Sequence, residues 1–285
     1  LSLTLPPPPL LGFVAQLPAD LSVGVSHEVV RGVVGPGPHA EIPLLVAALA
    51  VVAPFVDFFQ RYGWWALVLL ALIGLYRVPD FVMGVMANPL YIDLGFELST
   101  IATVVKLYGI WMTIGGALIG GIVTARIGVL PSLLLGAIAA TGTNLIFVWL
   151  AFQGADPVAL AVTISIENFS GGFAGTCLIA YMSSLVNHEF AATQYALFSS
   201  AFALPGKLLG GLSGVMVDGF SASPSLVGPI AAAAPHLTAQ TAGYVPFFVS
   251  TALMGVPAIL LILLVMKVRP GPAEKQPNHP VHEAA

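Results

Sequence analysis

Six stretches of the chain stay apolar long enough to cross a bilayer, which takes about 20 helical residues. They run from Trp64 to Leu90, Ser99 to Thr124, Val129 to Phe152, Pro157 to Val186, Ala192 to Val217 and Val245 to Met266. Turn-forming residues separate most of them, such as Asp93-Leu94-Gly95 and Gln153-Gly154-Ala155-Asp156-Pro157. Several exceed the minimum, so tilt or extension beyond the bilayer is expected. The pattern predicts an all-α membrane protein, a bundle of six transmembrane helices over residues 64–266. A seventh apolar stretch, Ile42 to Phe59, is short, holds Pro43, Pro54 and Asp57, and ends in Phe58-Phe59-Gln60-Arg61. Residues 41–63 are expected to form an interfacial amphipathic helix or a short extra span.

Composition agrees. Of 285 residues 58% are apolar and 8% charged, against about 25% charged in an ordinary soluble domain. Residues 1–40 are rich in Pro and Gly, contain Pro6-Pro7-Pro8-Pro9, and lack the basic start, apolar core and cleavage site of a signal peptide. They read as a disordered leader or linker, and residues 267–285 as a disordered tail. Basic residues give the orientation. Arg61, Arg126, Lys267, Arg269 and Lys275 fall before the first span, after the second and after the sixth, whereas the loops after the first, third and fifth spans have no Lys or Arg. Both termini are therefore expected in the cytoplasm. The lone Cys177 rules out a disulfide within the chain.

Glycines recur four apart within the spans: Gly116 and Gly120, Gly171 and Gly175, and Gly206, Gly210 and Gly214. Small residues at this spacing let helix backbones approach closely in lipid, so these positions are expected to pack helices.

Five ionisable residues interrupt the apolar spans: Arg77, Asp80, Lys106, Glu167 and Lys207. A charge at membrane depth costs roughly 2.5–3.5 kcal/mol on insertion scales, and such residues persist where they meet a polar cavity or each other. They fall on the first, second, fourth and fifth spans, leaving the third and sixth uncharged. That is the distribution expected of an inverted three-plus-three repeat whose third and sixth helices face lipid. Arg77 and Asp80, three apart, share a helix face and can pair. Lys106 and Lys207 have no acid on their own helices and need a partner elsewhere, either Glu167 or an anionic ligand. Glu167, followed by Asn168, is either a proton carrier or half of a structural Lys–Glu pair. The two lysines give the cavity a basic character suited to carboxylates.

Catalytic signatures are missing: there is no HExxH, GxSxG or P-loop, and the six His lie outside the spans. Neither an enzyme activity, a metal, a cofactor nor a nucleic-acid partner is expected. His188 and Glu189, adjacent in a loop, read as solvated.

The run Glu167-Asn168-Phe169-Ser170-Gly171-Gly172-Phe173-Ala174-Gly175-Thr176, with Phe190-Ala191-Ala192-Thr193-Gln194-Tyr195-Ala196-Leu197, resembles the AmpG-type muropeptide permeases of the major facilitator superfamily. Pro54-Phe55-Val56-Asp57-Phe58-Phe59 and Tyr76-Arg77-Val78-Pro79-Asp80 match as well, and Lys106 and Lys207 fall where the family carries basic residues. The resemblance covers about residues 54–266 and corresponds to the C-terminal half of such a transporter. It implies proton-coupled import of 1,6-anhydro-muropeptides across the bacterial inner membrane for peptidoglycan recycling. It also implies a six-helix N-terminal half as partner, through a truncated or split reading of a longer gene, with a homodimer of halves as the alternative. On that view Arg77, Lys106 and Lys207 meet substrate carboxylates or buried acids, Asp80 pairs with Arg77, Glu167 and Asn168 line the cavity, and Gln194 acts in gating. A half-transporter for a sugar or drug, or a non-transporting membrane scaffold, are the other readings open at this point.

Overall fold

A computed structural model describes residues 41–187 and 190–268, with side chains from residue 52 onward. The leader, His188, Glu189 and nearly all of the tail lie outside the described residues. The chain divides into two units, Leu1–Ala53 and Pro54–Ala285. The described part of the first is helical backbone, the opening of helix α1 (Glu41–Tyr62).

The second unit is a helical bundle. Its six long apolar helices are α2 (Trp65–Asp93), α3 (Leu98–Ile127), α4 (Val129–Gln153), α5 (Pro157–Leu185), α6 (Ala191–Ser221) and α8 (Ala239–Val268), each long and apolar enough to cross a membrane. Among the described residues there is no strand. The expected spans and these helices agree to within a few residues at most ends. The sixth starts earlier than hydropathy suggested, because the Thr238 hydroxyl caps it by accepting from the Thr241 N–H at 3.2 Å. The connection before it, which reads in sequence as one long loop, contains a further helix, α7 (Pro224–Ala233), with Pro224 in its first turn.

Local chemistry sets the helix boundaries. Asp156 accepts from Val158 N–H at 2.8 Å and Pro157 begins α5. Between α3 and α4 the chain turns on Gly128 alone, at φ 91°, where a Cβ would be strained. Helix α2 breaks at Arg77 (φ −109°, ψ 7°) because Pro79 has no N–H to bond the Leu75 carbonyl and disfavours helical geometry at Val78. Pro205 likewise has no N–H for the Ala201 carbonyl, but the helix runs on through it and α6 breaks only at Gly211-Leu212. The Ala201 carbonyl it releases lies against Gly74 of α2, where an added Cβ would sit 3.1 Å from that oxygen.

Helix α5 is the centre of the bundle, packed on α3 along one side and α4 along another. Two apolar clusters form the core. One gathers Phe58, Leu69, Tyr76, Leu133, Ala174, Tyr181, Phe198 and Ile262. The other gathers Val78, Val82, Tyr91, Phe147, Leu160, Tyr244 and Phe248. Along α2 the changeover falls between Tyr76 and Val78, at Arg77. The helices with least buried surface are α3 and α6, at 17% and 22% of their apolar windows, against 44% for α4 and 39% for α8. The second and fifth spans, rather than the third and sixth, therefore present the largest unpacked faces. The physical reason is that α3 rests mainly on α5, and α6 on α2 and, by its last turns, on α8.

Candidate functional site

Polar groups collect at two levels of the bundle. The first lies at the break in α2. Arg77 Nε stands 2.9 Å from Asp80 Oδ2, with side chains 22% and 15% exposed. The two atoms are buried and their angles do not make a hydrogen bond, so the contact is one of opposite charges. Arg77 Nη1 donates to the Gly171 carbonyl of α5 at 2.8 Å. That bond crosses between helices and fixes the plane of the guanidinium. Half-buried Glu167, one turn before Gly171, lies within electrostatic range of Asp80, Arg77 and Tyr91.

Asn168 connects this layer to α3. Its amide donates to the Ile164 carbonyl at 3.2 Å and its oxygen accepts from Thr113 Oγ1 at 2.9 Å. Gly109 makes room for it, since a Cβ there would lie 3.1 Å from Asn168 Nδ2. Lys106 sits in a stretch of α3 wound as a π-helix, Ala102–Tyr108, a wider winding that recurs at functional sites. Lys106 and Lys207 are both exposed. Among the described residues the ion pairs are Arg61–Asp57 and Arg77–Asp80, so neither lysine pairs with Glu167. The Lys–Glu pair considered from the sequence is not formed, because Glu167 faces the Arg77–Asp80 pair instead.

The second level joins the end of α1 to the start of α6. Gln194 is fully buried. Its amide nitrogen donates to Asp57 Oδ2 at 2.8 Å and to the Pro54 carbonyl at 3.1 Å. Its oxygen accepts from the Asn187 N–H at 2.8 Å and from Arg61 Nη2 at 3.2 Å. Arg61 pairs with Asp57 at 3.0 Å and also donates to the Leu185 carbonyl at 3.1 Å, while Asn187 Nδ2 donates to Asp57 Oδ1 at 3.3 Å. Two sequence motifs far apart in the chain thus meet in one network in which both polar atoms of the Gln194 side chain are bonded. Asp57 and Arg61 had not been singled out as site residues. Their spacing of four on one helix, ahead of the first span, is the signal that points to them. Beside the network a shallow apolar cleft of about 470 Å³ is lined by Ser183, Val186, Ala191, Ala192 and Tyr195, apart from the charged layer.

The glycines divide by contact. A Cβ on Gly116 would overlap the Phe169 carbonyl, and one on Gly120 would come within 2.9 Å of the Phe173 carbonyl. A Cβ on Gly206 would overlap the Phe81 ring, while those on Gly210 and Gly214 would meet α2 atoms at ordinary distances, 3.4 and 4.0 Å. Gly171 and Gly175 belong elsewhere: their Cβ positions face only the guanidinium of Arg77, at 4.0 and 3.7 Å. The close contact of α5 with α3 is made instead by Gly172, where a Cβ would overlap the Thr113 carbonyl. Helix packing by Gly171 and Gly175 is therefore corrected. Adjacent residues on a helix differ by about 100° in direction, and only the tertiary register says which of two neighbouring glycines is pinched.

These features define a multi-pass helical membrane protein with charged groups at mid-bundle. No family model matches the chain. Similarity to curated proteins is clear. The chain is 32% identical over 213 residues to the protein named "Putative transporter AmpG 4" of Rickettsia conorii (strain ATCC VR-613 / Malish 7), covering 75% of this chain and 46% of that protein. It is 38% identical over 157 residues to "Putative transporter AmpG 3" of Rickettsia prowazekii (strain Madrid E), covering 55% and 37%. With "Putative transporter AmpG 1" of the same organism the identity is 32% over 203 residues, covering 71% and 41%. The chain belongs to this AmpG-type family, and it spans about half the length of the curated relatives it matches.

Proposed function

We propose that this chain forms one half of a proton-driven importer of 1,6-anhydro-muropeptides, working in the bacterial inner membrane with both termini in the cytoplasm and serving peptidoglycan recycling. The observation that carries the reading is the charged group at the α2 break: one acid paired to Arg77 and a second acid, Glu167, without an ion pair among the described residues, with exposed lysines on α3 and α6. Such a layer is costly in a helix bundle that only has to fold, and suits one that passes an anionic solute. The exposed faces of α3 and α6 suit a six-helix complement of the major facilitator type, the two halves rocking about a midplane site.

Within this reading proton and substrate favour one another. An ionised Glu167, already facing the charges of Asp80 and Arg77 and the phenol of Tyr91, repels an incoming carboxylate. A protonated Glu167 does not. Lys106 and Lys207 raise the local concentration of the anion, and Asn168, held by Thr113, lines the path. Gln194 ties the start of α6 to α1 and sets the geometry at which α6 enters the bundle; gating is its proposed role.

The test is uptake of labelled anhydro-muropeptide in cells that lack their own permease. The chain is expressed alone and together with the N-terminal six helices of a full-length relative, with and without protonophore. Protonophore-sensitive uptake that requires both halves is the expected result. Uptake by the chain alone would replace the partner half by a second copy. Folded, membrane-inserted protein with no uptake in either arrangement would overturn the muropeptide reading.

A further inference from the structure

Helix α3 opens in α-helical winding at Leu98–Ile101, widens to a π-helix over Ala102–Tyr108 and closes again from Gly109. The Gly109 N–H donates to the Val104 carbonyl, five residues back rather than four. None of the residues in the wide stretch is buried, so the winding is held from its two ends. Upstream, Ile101 is buried in the second apolar cluster, with Val104 and Val105 packed beside it. Downstream, Gly109 lies so close to α5 that a Cβ would stand 3.1 Å from Asn168 Nδ2 and 3.2 Å from Ile164 Cγ2. A single wide turn takes up one more residue between two such fixed points than α winding would.

Tyr108, the last residue of the stretch, reaches across to α5. Its hydroxyl lies 2.8 Å from Ser165 Oγ. Ser165 gives its own hydrogen to the Ala161 carbonyl at 2.6 Å, so Tyr108 is the donor of the pair. The tyrosine is 39% exposed, and this bond rather than burial ties it down. Lys106, two residues earlier, forms no ion pair among the described residues. Its direction therefore follows from the winding of the backbone. Rewinding the stretch as an α-helix would turn it against α5 by up to about 100°, the angular step of one residue.

We propose that Tyr108 and Ser165 are positioning residues. Their bond keeps residues 102–108 in the wide winding, and the winding aims Lys106 so that its charge meets an anionic solute. That Lys106 gathers an anion rests on the transporter reading; that the bond sets its direction does not.

The test has a geometric and a transport readout. For the first, Cys177→Ser removes the native thiol and pairs of spin labels are placed on the purified chain. One pair sits at Lys106→Cys and Ile138→Cys, the latter exposed on α4. The second pair replaces the first label by one at Ile114→Cys, beyond Gly109. Tyr108→Phe keeps the ring and removes the bond. It should shift or broaden the distance distribution of the first pair and leave that of the second. Ser165→Ala should do the same, and Ser165→Thr, which keeps the hydroxyl, should not. A first-pair distribution that stays in place, or a change in the second pair as large as in the first, overturns the inference.

In the two-half uptake assay Tyr108→Phe should raise the half-saturating concentration of labelled anhydro-muropeptide about threefold, the worth of one neutral hydrogen bond, with the maximal rate little changed. In a Lys106→Gln background it should add nothing, because the two residues act through one charge. An equal further loss there would give Tyr108 a role of its own and overturn the positioning. A shifted first pair with no uptake by the unaltered protein would leave the winding control standing and remove the muropeptide reading, so the two failures are distinguishable.

Discussion

The two polar levels of this bundle are built from similar residues and differ in closure. Around Gln194, Asp57 and Arg61, every polar atom of the Gln194 side chain has a partner, and the contacts join α1, the end of α5 and the start of α6. Around Arg77 the pairing stops halfway. Asp80 and the Gly171 carbonyl hold the guanidinium, while Glu167 and both lysines lack ion-pair partners among the described residues. A closed network stabilises a shape, since every buried donor and acceptor is satisfied. An open one retains capacity for something that arrives from outside.

The largest effect expected from breaking this contrast is on transport at the open level. In the two-half uptake assay Arg77→Gln should cut the rate by roughly 10- to 100-fold, the value of a charged hydrogen bond of about 1.5–3 kcal/mol. It also strands Asp80, so the single variant should insert poorly. The double variant Arg77→Gln, Asp80→Asn should recover its level in the membrane and remain inactive. Recovery of uptake in the double variant would show that the pair exists only to ease insertion.

At the closed level the loss should be one of stability. Gln194→Leu removes the donor to Asp57 Oδ2 and the Pro54 carbonyl and the acceptor of Arg61 Nη2, at about 1–3 kcal/mol for each group that stays unsatisfied. A lowered midpoint of thermal unfolding in detergent, larger than that of any charged-layer variant with its ion pair intact, is the expected outcome. An unchanged midpoint would mean that the network is dispensable to the fold.

Neighbouring glycines sharpen the comparison. Gly172→Ala places a methyl group on the Thr113 carbonyl and should cost about 1–3 kcal/mol, as overpacking does. Gly171→Ala, which meets only Arg77 at 4.0 Å, should leave the unfolding midpoint nearly unchanged. Equal costs at the two positions would contradict the register of α5 against α3.

The smallest effect belongs to Lys106→Gln. An exposed charge contributes through the field more than through contact, so uptake should fall a few-fold, more at low than at high ionic strength, with no change in stability. A loss as large as that of the arginine variant would move the anion site to α3.

Much of this was legible in the sequence. The spans and the five interrupting charges stand out from hydropathy alone, and the three-residue spacing of Arg77 and Asp80 foretells their contact. The motif residues around Glu167 and Gln194 point to the family found for the chain. What hid was pairing across helices. Nothing in the spacing of Gln194 and Asp57, which lie far apart along the chain, says that they touch. Helix α7 hid because it is too short and Pro-bounded to register as a span.

The division follows from the physics. Whether a segment of about 20 residues prefers lipid to water is a sum over its own side chains, so the sequence by itself determined the six helices and the charges each helix carries. Which groups meet depends on how one helix is rotated and shifted against another, and one residue of register turns a side chain by about 100°. Only the tertiary structure decided that Gly172 is pinched while Gly171 and Gly175 face the Arg77 guanidinium, and that Gln194 closes a network.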